Sequence, residues 1–179
     1  MSVSAVTLSL SLIFILCVAA LSQGIPSTQL YGGFSYEAIH GPDNTRSDLL
    51  GWNASFAVRV YRPFSIVADF GGHYGSINEV VDVRMHTFLF GPKVTLHSGR
   101  IAPFIHSLFG VSWMEANSGG PTLSQNAATV AVGGGVDLKM YRGLSIRLFQ
   151  GEYLRRRFYQ ENPDLFRLSA GLVVRLGGH

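Results

Sequence analysis

Long and short connections alternate without exception between eight segments in which apolar and polar residues alternate. The long connections lie at 41–49, 75–83, 114–126 and 155–164, and the short ones at 62–63, 97–100 and 140–143. Tight turns join antiparallel neighbours, and successive turns of an up-and-down sheet lie at opposite ends of its strands. The alternation therefore places every long connection at one end of the sheet and every short turn at the other.

The eight segments are predicted to be strands because glycine, β-branched and aromatic residues are frequent in them and none keeps a helical period. The predicted strands are 29–40, 50–61, 64–74, 84–96, 101–113, 127–139, 144–154 and 165–177. Each has roughly the 9–11 residues with which a tilted strand crosses a bilayer.

Each predicted strand has two faces of different composition, because side chains alternate across a strand. On 50–61, one face carries Trp52 and Phe56, and the other carries Asn53 and Arg59. The more polar faces are rich in Gly, Ala, Ser and Thr with isolated charges of both signs, a composition that fills a narrow barrel lumen. We therefore expect the small and charged faces to point inward and the apolar faces to point outward, toward lipid.

Such a sheet must close, because an unpaired backbone group in hydrocarbon costs several kcal/mol. The predicted fold is all-β, a closed up-and-down antiparallel eight-stranded transmembrane β-barrel. Aromatic side chains near the strand ends are predicted to lie at the two bilayer interfaces. At the long-connection ends these are Trp52, Tyr74, Trp113 and Tyr153, and at the short-turn ends they are Tyr31, Tyr61, Phe64 and Tyr141.

The first 22 residues carry no charge and contain an apolar core from Leu8 to Leu21. Ala20 and Ser22 are small residues at the spacing that a signal peptidase reads, so 1–22 is predicted to be a cleaved signal peptide and 23–179 the barrel domain. The alternative is a retained membrane anchor, for which the run is short. The only cysteine, Cys17, lies in this segment, so the mature chain has no thiol for a disulfide or a metal.

Charge is sparse and evenly spread along the chain. Charged residues make up 14% of the sequence, against about 25% in typical soluble domains. The net charge is only +3, with no Lys/Arg stripe at helical spacing, which argues against nucleic acid as a partner. The six histidines form no short-spaced cluster, so neither a metal nor another cofactor is predicted.

The chain resembles the small eight-stranded outer-membrane β-barrels, the class of the transmembrane domain of outer membrane protein A. The resemblance covers about 29–177 and is carried by GWNASFAVRVYRPFSIVADFGGHYG, HTFLFGPKVTL and RLSAGLVVRLG. It implies a porin-like, monomeric protein of the Gram-negative outer membrane with a structural, adhesive or envelope-integrity role. The implied partners are outer-membrane lipid, lipopolysaccharide and, during assembly, the barrel-insertion machinery.

Two other functions are compatible with the same pattern. One is a lipid-A-modifying outer-membrane enzyme, in which an acid orients a serine–histidine pair. His106 and Ser107 are adjacent, but neighbours on a strand point to opposite faces, so no catalytic residue is predicted. The other is a soluble periplasmic ligand-binding barrel of the lipocalin type.

The predicted site is a network of charged side chains that closes the lumen. By parity the lumen receives Glu37, Arg59, Asp69, Lys93, Asp137, Lys139, Arg147, Arg167 and Arg175. Isolated charges in a poorly hydrated lumen are costly, so these side chains are expected to pair. Six basic and three acidic residues predict a surplus of positive charge.

Two pairs are predicted from the short turns. Asp137 faces Arg147 across the turn at 140–143, and Arg59 reaches Asp69 diagonally across the turn at 62–63. Parity fails within 149–153, where a bulge would restore it and would turn Glu152 into the lumen.

Arg155, Arg156 and Arg157 form the one charge run, at the start of the last long connection. Because the arginine fork matches phosphate geometry, these residues are predicted to contact lipopolysaccharide phosphates. The alternative is an ordinary solvated loop end.

Overall fold

The computed structural model describes residues 27–40, 46–77, 81–96, 98–117, 123–157 and 164–177. The predicted signal peptide and its cleavage site lie outside these residues. Within the described ranges there is no helix with the length and hydropathy needed to span a membrane.

Eight antiparallel strands form a closed barrel in chain order. They are β1 Thr28–His40, β2 Arg46–Tyr61, β3 Phe64–Ile77, β4 Val81–Thr95, β5 Ile101–Asn117, β6 Leu123–Tyr141, β7 Leu144–Arg157 and β8 Asp164–Leu176. The last strand pairs with the first, with Gly171 opposite Gly33, so the described sheet has no open edge. The fold class predicted from the sequence is confirmed.

The predicted strands differ from the observed ones mainly at the long-connection ends. β2 begins at Arg46 rather than at residue 50, and β5 continues to Asn117 rather than ending at residue 113. The side-chain alternation fades in these stretches, but the backbone ladder continues because pairing satisfies N–H and C=O groups whatever the side chain.

The barrel is apolar outside and polar inside. On β6, Val132 points outward and is 54% exposed, whereas the preceding residue, Ala131, points inward and is 0% exposed. On β2, Trp52 and Phe56 are exposed and Asn53 is buried. The two faces therefore lie as parity predicts, with the charged faces lining the lumen.

A bulge in β7 changes which residues face the lumen. The register with β8 shifts between Arg147 and Gln150, and the two residues between them, Leu148 and Phe149, are both exposed. Beyond the bulge, Gln150 and Glu152 face inward and are buried. The irregularity begins just before the predicted segment, and it brings Glu152 into the lumen.

Some large apolar and aromatic side chains share the lumen with the charges. On β5, Phe104 and Leu108 are buried on either side of the inward-facing His106, whereas Ser107 is exposed. Tyr31 was expected at the bilayer interface, but it also faces inward and is 5% exposed. The prediction for Tyr31 is wrong because on β1 it lies on the same face as Gln29, Ser35 and Glu37, which are all buried.

Candidate functional site

The centre of the lumen is occupied by one guanidinium held between two carboxylates. Arg167 Nε lies 2.6 Å from Glu152 Oε2, and Arg167 Nη2 lies 2.9 Å from Asp69 Oδ1. The other oxygen of Glu152, Oε1, lies 2.9 Å from His106 Nε2. The Asn53 amide donates to Asp69 Oδ1, the same oxygen that Arg167 contacts. We call Asp69, Glu152 and Arg167, with Asn53 and His106, the central cluster.

Two different structural features assemble the central cluster. Glu152 lies directly opposite Arg167 in the register of β7 with β8, and it faces inward only because of the β7 bulge. Asp69 belongs to β3, which is not a neighbour of β8 in the sheet. Its contact with Arg167 therefore crosses the lumen and depends on closure of the whole barrel.

A second cluster lies nearer the short turns and contains the predicted pair of Asp137 and Arg147. These residues are cross-strand partners in register, and Arg147 Nε lies 2.8 Å from Asp137 Oδ1. Arg147 also donates to Gln150 Oε1 at 2.5 Å, and its guanidinium carbon lies 4.1 Å from the centre of the Tyr31 ring. The structure thus brings the predicted partners together and packs them against an aromatic ring.

Lys93 is buried in the same region, and none of the described carboxylates forms an ion pair with it. Its Nζ lies 4.1 Å from the centre of the Phe104 ring and 3.5 Å from Gln29 Oε1. The same Phe104 ring lies 4.4 Å from the Arg147 guanidinium carbon. Two cations therefore contact one aromatic ring, whose quadrupole partly replaces a counter-ion.

The third cluster lies nearer the long connections and is built around Glu37. Arg156 Nη1 lies 2.5 Å from Glu37 Oε1, and His73 Nδ1 lies 3.5 Å from Glu37 Oε2. His73 Nε2 lies 2.9 Å from Ser35 Oγ, and Arg156 Nε donates to Ser112 Oγ at 3.3 Å. Every strand except β2 supplies an ionisable side chain to these three regions of the lumen, and β2 supplies Asn53.

The structure corrects the predicted phosphate-binding run. Arg156 is 0% exposed and points into the lumen, because the β7 bulge places it on the same face as Glu152. Arg155 is exposed on the outer surface, and the side chain of Arg157 lies outside the described part of the chain. At most two residues of the run can therefore meet lipid phosphate.

The predicted pair of Arg59 and Asp69 is wrong. In the register of β2 with β3, Arg59 lies opposite Ser65 and Asp69 lies opposite Ser55. The two residues are thus offset by four positions, about 13 Å along the strands. Asp69 is instead neutralised across the lumen by Arg167.

The predicted positive surplus lies at the short-turn end, the end predicted to face the periplasm, and not among the fully buried charges. Arg59, Lys139 and Arg175 are half-buried at the short-turn end, where Lys139 donates to the Gly99 carbonyl and Arg175 lies 3.8 Å from Asp137. The fully buried charges balance, four acidic with four basic. These residues are Glu37, Asp69, Asp137, Glu152, Lys93, Arg147, Arg156 and Arg167.

Sequence reasoning missed His73, His106, Asn53 and Gln150 as members of the network, and it placed Arg156 on the wrong face. Gln150 and Arg156 face inward because of the β7 bulge. Asn53, His73 and His106 lie on the inward faces of β2, β3 and β5, which parity alone identifies. No group of three or more acidic, histidine or cysteine side chains in the described residues has a metal-binding arrangement.

No family model matches the chain, and no curated protein sequence matches it. Solved structures do match. The Neisserial surface protein A is similar with a TM-score of 0.69 at 12% identity, covering 83% of this chain and 97% of that one. The attachment invasion locus protein of Yersinia pestis gives 0.63 at 13% identity, covering 84% and 99%.

The chain has the fold of the small eight-stranded outer-membrane β-barrels. The N-terminal β-barrel domain of Pseudomonas aeruginosa OprF also matches, with a TM-score of 0.58 at 10% identity, covering 86% of this chain and all of that domain. The resemblance predicted from the sequence is therefore confirmed at the level of fold. Because the barrels share so few identical residues, the lumen network has to be understood from this chain alone.

The contact between Asp137 and Arg147 should be strongly coupled energetically. Asp137→Ala alone should lower the free energy of unfolding by about 3–5 kcal/mol, because it leaves a buried guanidinium with no carboxylate. Arg147→Ala should cost a similar amount, and the double variant should cost much less than the two losses added together. Urea unfolding of the four proteins of this double-mutant cycle measures the coupling, and additive losses would contradict it.

Proposed function

We propose that the protein is an integral β-barrel of the bacterial outer membrane, with a structural or adhesive role and a lumen closed by its charged side chains. The observation that carries this proposal is the inverted distribution of polarity. Eight formally charged side chains are buried inside, whereas large apolar side chains such as Phe34, Leu50 and Ile105 are 87%, 69% and 66% exposed. In water an apolar surface of this extent would favour aggregation, but in lipid it is solvated.

The positions of the exposed aromatic residues support insertion into a bilayer. Trp52, Tyr74, Trp113 and Tyr153 lie on the outer surface toward the long connections, and Tyr61, Phe64 and Tyr141 lie at the short turns. Amphipathic rings at both ends of an apolar band are typical of side chains that settle at the two membrane interfaces. By the usual topology of such barrels, the long connections face outward from the cell and the short turns face the periplasm.

The three lumen clusters support a closed barrel rather than a pore. Eight-stranded barrels are only wide enough to be filled by their own side chains. Here the third cluster with Glu37, the central cluster with Arg167 and the second cluster with Asp137 follow one another along the lumen. Each contains a direct ion pair of 2.5–2.9 Å. A solute would have to separate these pairs in order to pass.

The long connections favour an adhesive role over a purely structural one. The residues between the strands at this end, 41–45, 78–80, 118–122 and 158–163, can vary without disturbing the barrel ladder. One structural neighbour is named an attachment invasion locus protein, and this name describes the neighbour. Outer-membrane lipid and lipopolysaccharide are the proposed surroundings, and the barrel-insertion machinery is the proposed partner in assembly.

Membrane insertion can be tested by fractionation combined with gel mobility. The expressed chain should remain in the membrane fraction until detergent is added, and its mobility in dodecyl sulfate should differ between unheated and boiled samples. Unfolding a closed barrel changes the shape of the detergent complex, which accounts for the expected shift. Release with the periplasmic fraction would instead favour the soluble ligand-binding barrel.

The orientation can be tested with epitope tags. A tag between Gly119 and Gly120, in the third long connection, should bind antibody on intact cells. A tag between Ser98 and Gly99, in a short turn, should bind antibody only after the outer membrane is permeabilised. Labelling of the second tag alone on intact cells would reverse the proposed topology.

One arrangement favours a lipid-A-modifying enzyme as a second candidate. Ser35, His73 and Glu37 form a hydroxyl–imidazole–carboxylate series with separations of 2.9 and 3.5 Å, the order found in serine hydrolases. However, all three side chains are buried, and Arg156 pairs with the carboxylate. We therefore propose a non-enzymatic role, and a change in lipid A mass on expression that Ser35→Ala abolished would favour the enzyme.

A further inference from the structure

We propose that the short-turn rim of the barrel binds the phosphate groups of anionic phospholipids in the leaflet that surrounds it. This inference rests on the proposed insertion into the outer membrane. The rim is defined by its cationic side chains, which are Arg59, Arg62, Arg100, Lys139, Arg142 and Arg175.

Acidic residues are distributed unevenly between the long connections and the short turns. Seven of the eleven acidic residues lie in or beside the long connections, at positions 43, 48, 79, 82, 115, 161 and 164. The other four are the buried lumen carboxylates. The short turns contain no acidic residue. Among the described residues, only the buried Asp137 lies near a rim cation, so the rim has a positive field.

The rim cations form a continuous group because the backbone joins neighbouring turns. The Lys139 amide donates to the Arg100 carbonyl at 2.8 Å, and the Arg175 amide donates to the Gly143 carbonyl at 2.6 Å. These contacts bring the β4–β5 turn, the β6–β7 turn and the end of β8 side by side. Residues of these segments, which are distant in the sequence, therefore meet at the short-turn end of the barrel.

The arginines of the three turns have no partner among the described residues. Arg62, Arg100 and Arg142 are exposed, and no carboxylate in the described ranges lies within ion-pair distance of them. An unpaired guanidinium retains its full set of donors for an external anion. Its planar fork is suited to phosphate oxygens.

The side chains next to these arginines indicate a lipid rather than an acidic protein as the occupant. Tyr61 beside Arg62 is 75% exposed, Tyr141 beside Arg142 is 79% exposed, and Ile101 beside Arg100 is 51% exposed. Each short turn thus combines a residue suited to the edge of the hydrocarbon with a cation one position away. Because the combination recurs at all three short turns, the cations are spread around the barrel, and lipid headgroups surround the barrel in the same way.

The proposal can be tested by measuring lipid selectivity in vesicles. The chain is refolded into phosphatidylcholine vesicles, and its association with spin-labelled phosphatidylglycerol is compared with that of spin-labelled phosphatidylcholine. The test variant is Arg62→Gln/Arg100→Gln/Arg142→Gln. The wild type should prefer phosphatidylglycerol, and the triple variant should reduce the preference by about five-fold, which corresponds to the roughly 1 kcal/mol that a basic residue contributes at each of three separate lipid contacts.

Arg84→Gln is the matched control, because Arg84 is exposed at the opposite end and lies opposite Glu115 in register. It should retain the wild-type preference. Inorganic phosphate should reduce the preference no more than chloride at equal ionic strength, because the bound phosphate belongs to the lipid. A larger reduction by free phosphate, a triple variant with wild-type selectivity, or an equal loss in Arg84→Gln would overturn the proposal.

Heat-modifiable mobility and protease protection are measured on the same vesicles. Failure of the wild type to insert would contradict the proposed membrane function, whereas insertion without lipid selectivity would contradict only this inference. If the triple variant does not insert, the three single Arg→Gln variants provide the comparison, and each should lose part of the wild-type preference.

Discussion

Replacing Arg167 with methionine is expected to lower the free energy of unfolding by about 3–5 kcal/mol, among the largest effects of any single substitution in this barrel. Arg167 is 0% exposed and contacts both Glu152 and Asp69. Without it, two carboxylates would remain buried with no cation between them. Urea unfolding in lipid vesicles, followed by gel mobility, measures the loss.

Arg175→Met is the matched control on the same strand. The Arg175 side chain is 14% exposed and lies 3.8 Å from its nearest carboxylate, on Asp137. Asp137 keeps Arg147 as its partner when Arg175 is removed, so Arg175→Met should cost only about 1 kcal/mol. The triple variant Asp69→Asn/Glu152→Gln/Arg167→Met removes the uncompensated charges and should recover much of the stability lost by Arg167→Met. Equal losses for the two methionine variants, or no recovery in the triple variant, would contradict the proposed role of the central cluster.

Val132→Arg is expected to destabilise the barrel by about 2–4 kcal/mol in a bilayer, because it places a cation on the lipid-facing surface near the membrane midplane. Val132 is 54% exposed on the outer face of β6, far from both ends of the strand. Urea unfolding in vesicles of fixed lipid composition gives the difference from the wild type.

Asn126→Arg is the control, because it introduces the same side chain on the same face of β6 at a different depth in the membrane. Asn126 has the same outward parity on β6 but pairs with Trp113, in the aromatic row toward the long connections. Arginine there can reach the interface, so the expected cost is about 0–1 kcal/mol. If Val132→Arg and Asn126→Arg unfold at the same urea concentration, Val132 does not face the hydrocarbon core and the proposed insertion is wrong.

The amino-acid sequence by itself determined the number of strands, their order and the composition of the two faces. Residue alternation and connection length are local properties, and each follows from the geometry of one strand or one turn. The pair of Asp137 and Arg147 belongs to this category, because a short turn sets which residues of β6 and β7 lie opposite each other.

Only the tertiary structure decided how the lumen charges are paired. The β7 bulge moves Glu152 and Arg156 inward, and the pattern LFQGEY does not reveal which residue absorbs the extra position. The contact between Asp69 and Arg167 joins strands that are not neighbours. Such a contact depends on the diameter and stagger of the closed barrel, which are set jointly by all eight registers and cannot be obtained from any one pair of strands.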